Sequence, residues 1–159
     1  MIEIKLLFLL LIANGAPILA REALGGRFNL PLDGGHRAMD GRFWLGPTKT
    51  YRGVVASILF TSLAAPVLGM DWHIGAATGA LAMVGDMSGS FCKRRLGIKS
   101  STPSIGLDQI PESLLPLLVL ARPLQLSWSS VLLIVTAFFV LILVLSRLLY
   151  WMGIRKHPY

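Results

Sequence analysis

One stretch of the chain sets a cluster of charges directly between two apolar runs: GDMSGSFCKRRLGIKSSTPSIGLDQIPE, residues 85–112. Asp86 ends an apolar, glycine-rich run, and Asp108 and Glu112 precede the next apolar run. An ionisable side chain inside a bilayer costs about 2.5 to 3.5 kcal/mol, so such a carboxylate needs an ion, a partner or water. Asp86 is therefore a candidate site residue. The alternative is that it marks a helix end at the membrane surface.

The composition indicates an integral membrane protein. Of the 159 residues, 54% are hydrophobic and 14% are charged, whereas soluble domains average roughly 45 to 50% apolar and 25% charged residues. The chain contains no internal repeat and no separable soluble segment. We therefore predict a single transmembrane domain over residues 1–159.

The net charge of +7 raises the question of a nucleic-acid partner. The cations lie in short connections between apolar runs, where they set membrane topology and attract anionic lipid. We therefore expect no nucleic-acid partner. The single Cys92 excludes an internal disulfide and any multi-cysteine metal site.

Apolar segments predict an all-α fold with about five transmembrane helices. The five segments are residues 4–20, 54–69, 74–87, 113–121 and 128–150. The first segment lacks a basic region before its apolar core, so we interpret it as a helix and not as a signal peptide. The small residues of the third segment would allow a close helix pair, and so a homodimer. The fourth segment is so short that it is either a span or a bent, re-entrant segment.

The third segment is expected to continue as a helix into the basic cluster. Asp86, Ser90 and Lys93 would then lie on one helical face, because residues three and four apart are neighbours on a helix. In the first segment, Asn14 needs a hydrogen-bonding partner at membrane depth and so points toward the protein interior. Pro17 frees a backbone carbonyl one turn before it.

Residues 21–53 form the longest polar connection, for which we predict a loop with one short interfacial helix. Asp33 and Asp40 each stand beside glycine, a pattern typical of turns first and of a metal or ribose contact second. The segment GPTKTYRG, residues 46–53, places two cations and two hydroxyls at the start of the next helix. The start of a helix with these residues favours binding of a phosphate group. An ordinary basic loop beside the membrane would have the same residue types, so this segment alone does not decide between the two.

The distribution of Lys and Arg predicts the topology. With five spans, thirteen of the fifteen cations fall on the side that holds the 21–53 loop, the 88–112 loop and the C-terminus. By the positive-inside rule these segments face the cytoplasm and the N-terminus faces outward. The expected location is the cell (inner) membrane, with two polar cytoplasmic loops forming the site.

Carboxylates, Lys and Arg clusters, hydroxyls and glycines together indicate phosphate chemistry. Magnesium takes few protein ligands and completes its shell with water and substrate phosphates, so Mg²⁺ is the expected cofactor. Phosphoryl or nucleotidyl transfer is the natural reaction. The sequence has no HExxH, Walker A, GxSxG or zinc-site spacing, so it gives no support for those enzyme classes.

Four blocks of the sequence occur in an order typical of a known family. They are residues 13–17 (ANGAP), 40–53 (DG through KTYRG), 85–97 (GD followed by SFCKRRLG) and 107–112 (LDQIPE). Together they resemble the CDP-archaeol synthase family, which is related to the CTP:phosphatidate cytidylyltransferases. Tyr51 stands where the family commonly has Trp. In the phosphatidate signature a second Asp stands where this chain has Pro111, which leaves open whether Asp108 acts alone or with Glu112.

The resemblance implies a cytidylyltransferase that joins CTP to a lipid phosphate, archaeal-type or phosphatidate, giving a CDP-lipid and pyrophosphate. It implies catalytic roles for Asp86, Lys93 and Asp108, with Mg²⁺ held by Asp86, Asp108 and Glu112. Substrate would be bound by Asn14, Lys49, Thr50, Arg52, Ser90, Arg94 and Arg95. The alternative is an inactive membrane protein that binds anionic lipid or scaffolds lipid synthesis.

Overall fold

The computed structural model describes residues 1–99, 102 and 104–151, and it consists of five α-helices. They are α1 (Ile2–Leu24), α2 (Tyr51–Val67), α3 (Trp72–Arg95), α4 (Gln109–Leu120) and α5 (Trp128–Trp151). The described residues include no strand beyond two isolated β-bridges. The predicted all-α class is therefore confirmed. The cations Arg155 and Lys156 lie outside the described residues.

Two of the helices, α1 and α5, are long and apolar enough to cross a membrane by length and composition. Helix α1 extends past the predicted end at residue 20 to Leu24 and so has 23 residues, about 34 Å at 1.5 Å per residue. It is therefore longer than the sequence suggested. Pro17 lies inside it, and its missing hydrogen bond does not end the helix.

Helix α4 has only 12 residues, about 18 Å, so by itself it does not reach across a hydrocarbon core of roughly 30 Å. Its Leu117 and Leu120 are buried in a cluster with α1 and α5, which includes Leu10 and Phe138. Helix α4 is thus held by its neighbours on one side, while its first turn carries Glu112 toward the site.

Helix α3 packs against both α2 and α4, and small residues allow both contacts. A methyl group on Gly75 would overlap the backbone of Thr61 in α2, and one on Gly85 would overlap the backbone of Pro111 in α4. The small-residue face proposed for a homodimer is therefore used inside the chain. Helix α3 also continues to Arg95, which confirms the predicted extension into the basic cluster.

The connection between α1 and α2 contains turns and bridges, and the short interfacial helix predicted there is absent from residues 25–50. Pro31 bridges Thr50, and Arg37 bridges Phe43. Glycines at 25, 34, 35, 41 and 46 all have positive φ, a conformation that favours turns over helix. The backbone N–H of Leu32 donates to the carbonyl of Lys49 at 2.8 Å, so the loop folds back to the start of α2.

Candidate active site

The candidate active site lies where four separate segments meet near the C-terminal half of α3. Helix α3 contributes Asp86 and Lys93, and the start of α4 contributes Asp108 and Glu112. Asn14 comes from α1, and Lys49 comes from the loop before α2. Three carboxylates are thereby brought together, and each receives a different nitrogen donor.

Lys49 and Asp86 form the first of these pairs. The Lys49 Nζ atom lies 2.7 Å from Asp86 Oδ1 and 2.6 Å from Oδ2, and both side chains are about one-fifth exposed. A charge-assisted hydrogen bond of this kind is among the stronger ones in proteins. It answers the question raised by the sequence, because the carboxylate at the end of the apolar run does have a partner.

Lys93 and Asp108 form the second pair, with Nζ 2.6 Å from Oδ1. Lys93 is only 6% exposed, although it stands in a basic cluster that would suggest a solvated face. It lies one turn beyond Ser90, which is also buried. The predicted alignment of Asp86, Ser90 and Lys93 along α3 thus places all three toward the protein.

Asn14 and Glu112 form the third pair. The Asn14 Nδ2 atom donates to Glu112 Oε1 at 2.9 Å and to Oε2 at 2.8 Å. Glu112 is 2% exposed, and a buried carboxylate is costly unless it accepts hydrogen bonds. Lys49, Asp86 and Asp108 are all close enough to Glu112 to act on it electrostatically. The prediction that Asn14 points inward to a hydrogen-bonding partner is confirmed, and that partner lies on another helix.

Two glycines of α3 permit this meeting. Gly85 is in direct contact with the backbone of Pro111 and Glu112, and Gly89 is in contact with the backbone of Leu107. No side chain separates α3 from the segment that carries Asp108 and Glu112. The spacing of four residues between the glycines keeps both contacts on one face of the helix.

Thr50 and Arg52, both predicted to bind substrate, have structural contacts. Thr50 Oγ1 accepts a hydrogen bond from the N–H of Gly53 at 3.2 Å and so caps the start of α2. The Arg52 guanidinium donates to the carbonyls of Gly25 and Arg27 at 2.8 and 2.6 Å. Both residues hold the loop against α2, and their contact with substrate stays a prediction.

Arg94 and Arg95 both donate to backbone carbonyls. Arg95 pairs with Asp40 at 2.7 Å and donates to the carbonyl of Phe43 at 2.7 Å, which fastens the loop to α3. Arg94 donates to the carbonyl of Lys99 at 3.1 Å. Among the described residues, the Nε atoms of both arginines are buried and have no hydrogen-bond partner. The contact of either arginine with substrate stays a prediction.

Sequence reasoning missed a residue that ties the loop to the end of α3. Arg42 donates to the carbonyls of Arg94 and Arg95 at 3.3 and 2.7 Å. These carbonyls lie at the end of the helix, where that of Arg94 also accepts from the N–H of Gly97 at 3.1 Å. A cation there also complements the helix dipole. No local pattern indicates a contact across 52 or 53 residues.

Asp33 organises the loop segment that leads to Lys49. Its carboxylate accepts hydrogen bonds from the N–H groups of Leu45 and Gly46 at 2.9 and 2.8 Å, and from that of Gly35 at 3.1 Å. Its turn role is thereby confirmed. Burial raises the pKa of Asp33, but the N–H donors outweigh burial and hold the pKa below its ordinary value of 3.8.

A lowered pKa in the folded state means that ionised Asp33 stabilises the fold at neutral pH. The stabilisation by ionised Asp33 is fully present above the ordinary pKa of an Asp carboxyl. It is lost as the pH falls through the lower pKa that Asp33 has in the folded state. We expect Asp33→Asn to lower the melting temperature at pH 7 by a few degrees, corresponding to about 1 kcal/mol. The difference should be constant near neutral pH and should shrink toward the acid end of a melting series from pH 7 to pH 3.

Glu22→Gln is the matched control for that series, because Glu22 forms an exposed pair with Arg21 and such pairs contribute little. Its melting temperature should follow that of the parent at every pH. A constant offset of Asp33→Asn across the whole pH range would show that the hydrogen bonds do not depend on the carboxylate charge.

The donor set fits a magnesium ion completed by substrate. Among the described residues no three His, Cys, Asp or Glu side chains are placed to hold a metal ion by themselves. Magnesium commonly uses one or two carboxylates together with water and phosphate oxygens. Asp86, Asp108 and Glu112 supply hard oxygen donors of that type, so the ion remains an expectation that their chemistry supports.

Comparison with known proteins gives a consistent result. The family model CarS-like CDP-archaeol synthase matches residues 1–159. A CDP-archaeol synthase of Sulfurisphaera tokodaii is 32% identical, with 94% of this chain and 90% of the relative covered. One from Aeropyrum pernix is 36% identical, with 94% and 86% covered.

Two further matches complete the comparison. A CDP-archaeol synthase of Hyperthermus butylicus is 40% identical over 63% of this chain, and this chain spans 60% of that relative's length. A solved structure described as an intramembrane enzyme for archaeal membrane lipid biosynthesis has a TM-score of 0.75 and 34% identity. That match covers 89% of this chain and 90% of the other.

Proposed function

Because the chain belongs to the CarS-like CDP-archaeol synthase family, and is thereby a CTP-dependent cytidylyltransferase of the membrane, we propose that it transfers CMP to an archaeal-type lipid phosphate. The lipid phosphate oxygen attacks the α-phosphorus of CTP. The bond between the α-phosphorus and the bridging oxygen breaks, and pyrophosphate leaves. The product is a CDP-lipid.

The observation that carries this proposal is the convergence of three carboxylates with two buried or half-buried lysines. Lys49 and Lys93 are each within 2.7 Å of a carboxylate oxygen, so positive and negative charges alternate across the site. A nucleoside triphosphate brings several negative charges, which Lys49, Lys93 and Arg94 would neutralise.

Proton transfer requires no dedicated residue. A phosphate monoester has a second pKa near 6 and is largely dianionic at pH 7, so its oxygen is already a nucleophile. The histidines agree with this. His36 hydrogen-bonds within its own loop turn, and His73 stacks on Trp72 at the opposite end of α3. His157 lies outside the described residues.

Asp86, Asp108 and Glu112 would hold the magnesium ion, which when bound supplies charge neutralisation on the triphosphate. The contribution of the protein's own residues is to position the carboxylates. Asn14 keeps the Glu112 carboxylate facing the site, and the glycine contacts of α3 keep Asp86 near Asp108. Positioning and charge neutralisation account for most of the catalysis in phosphoryl transfer generally.

The topology proposal uses the charge distribution of the sequence. Residues 21–53 and 88–112, which include Lys49, Lys93 and Asp108, contain ten of the fifteen Lys and Arg residues, so the positive-inside rule supports placing them in the cytoplasm. CTP would then reach the site from the cytoplasm, and the lipid phosphate would reach it from the membrane. Accessibility of single cysteines introduced into each loop tests this orientation.

The experiment that tests the function follows labelled CMP from CTP into lipid. Purified protein in detergent receives magnesium and either an unsaturated ether-linked lipid phosphate or phosphatidate. We expect CDP-lipid with the ether lipid and much less with phosphatidate. Product with phosphatidate alone would reassign the substrate. A folded protein that makes no product with either lipid and shows no magnesium-dependent CTP binding would instead support an inactive lipid-binding protein.

A further inference from the structure

A groove of about 580 Å³ lies between the end of α1 and the first half of α2. Leu19 and Ala23 line it from α1, and Val55, Leu59 and Phe60 line it from α2. Its volume is in the range of ligand pockets, which bury apolar groups against apolar walls. Among the described residues that line it, Arg52 is the only charged one.

The sequence explains why this groove is hollow. Ala20 and Ala23 of α1 face Ala56 of α2 along its walls, where larger side chains would fill the space between two helices. At the loop end, the Arg52 guanidinium is occupied by the carbonyls of Gly25 and Arg27. The groove therefore presents apolar surface along its length, and no unpaired cation in it would attract a headgroup.

The loop end of the groove is close in sequence to the candidate active site. Tyr51 and Arg52 line its loop end, and they directly follow Lys49 and Thr50 in the chain. Lys49 holds Asp86. The lining residues of α2 run from Tyr51 to Phe60 on one helical face, about 14 Å along the axis. A molecule whose phosphate group lies near Lys49 would thus find apolar side chains along the groove, in the direction away from the loop.

Beyond the groove, α2 presents exposed apolar residues such as Leu63 and Val67, which suit contact with lipid in a membrane enzyme. The groove is therefore open toward the hydrocarbon region at one end, and the residues at its other end directly follow Lys49 and Thr50 in the chain. We propose that it binds one hydrocarbon chain of the lipid phosphate substrate. This inference rests on the proposed function, and it adds where the hydrocarbon chain of the lipid phosphate substrate lies.

The kinetic test fills the groove with a larger side chain. Leu59→Trp places an indole in it, and Leu63→Trp is the matched control. Both leucines lie on α2 and are 52% and 61% exposed, but only Leu59 lines the groove. With saturating CTP and varied ether lipid phosphate, we expect Leu59→Trp to raise the KM for lipid about tenfold or more. The kcat and the affinity for CTP should stay unchanged.

Equal kinetics of the two variants would overturn the proposal.

A second measurement needs no variant and no turnover. A lipid phosphate with a photoreactive diazirine in its chain is crosslinked to the parent protein, and labelled peptides are mapped by mass spectrometry. We expect labelling of residues 19–24 and 51–60 that unlabelled lipid phosphate competes away, but a neutral lipid with the same chains does not. Labelling without such competition would contradict a specific site.

The two proposals fail in different ways. Competed labelling of the groove in a protein that makes no CDP-lipid would retain the binding site and reject the proposed function. The opposite result is CMP transfer by a protein whose groove shows no competed labelling and whose Leu59→Trp variant has normal kinetics. That result would retain the proposed function and reject the groove as the binding site of the lipid chain.

Discussion

Replacing Asp86 with Asn is expected to reduce CMP transfer by a factor of about a hundred to a thousand, while the protein stays folded. Asn keeps the size of the side chain but removes the charge that faces Lys49 at 2.6 Å. The site then loses a ligand of the type that magnesium prefers, and Lys49 loses the partner that orients it. The measurement is labelled CMP transfer, together with CTP binding with and without magnesium.

The control for this substitution lies at the other end of the same helix. Asp71 precedes α3, is exposed and makes no side-chain capping hydrogen bond, so Asp71→Asn should retain the parent's activity. Melting temperatures of both variants show whether a loss of activity follows from unfolding. Full activity of Asp86→Asn, in protein that melts like the parent, would remove Asp86 from the site.

The second large effect is expected from Gly85→Ala. The added methyl group would lie 2.5 Å from the carbonyl carbon of Pro111 and 2.8 Å from the Cα atom of Glu112, closer than real contacts allow. Because these are backbone atoms, α4 must move, and Glu112 and Asp108 move with it. Overpacking of this kind typically costs about 1 to 3 kcal/mol. We expect a melting temperature lowered by several degrees and nearly complete loss of CMP transfer.

Two glycine controls separate stability from site geometry. Gly75→Ala would create a similar backbone overlap with Thr61 near the opposite end of α3, so it should lower the melting temperature without moving Glu112. Gly15→Ala meets nothing within 4 Å and should leave the melting temperature unchanged or raise it slightly, because Ala favours helix. If Gly75→Ala and Gly85→Ala lose activity equally, the effect of Gly85 is one of stability alone.

Much of the fold was predictable because membrane helices are encoded locally. A bilayer leaves backbone hydrogen bonds to be satisfied within each segment, so apolar runs of sufficient length must be helical. The extension of α3 to Arg95 was also predictable, since nothing between Asp86 and Arg95 breaks a helix. The helix predicted for the first loop was wrong because positive-φ glycines turn the chain repeatedly there.

Which residues converge at the candidate site was partly predictable. Charged and polar residues in or beside apolar runs are costly in a membrane, which singled out Asp86, Asp108 and Asn14 without any contact being known. Roles are harder to assign from residue type. Arg52 and Arg95 were predicted to bind substrate, and in the structure their guanidinium groups donate to loop carbonyls. A cation that fastens a loop and one that binds a substrate have the same sequence signature, so these two roles stay predictions.

The sequence by itself determined the class of the protein, the helical segments and the set of charged groups available for chemistry, because each depends on composition over a few turns. The tertiary structure alone decided the pairing of those groups. Asn14 meets Glu112 across 98 residues, and Lys49 meets Asp86 across 37. Such partners depend on how closely α3 approaches its neighbours, and hence on backbone contacts at Gly85 and Gly89 that no local pattern reveals.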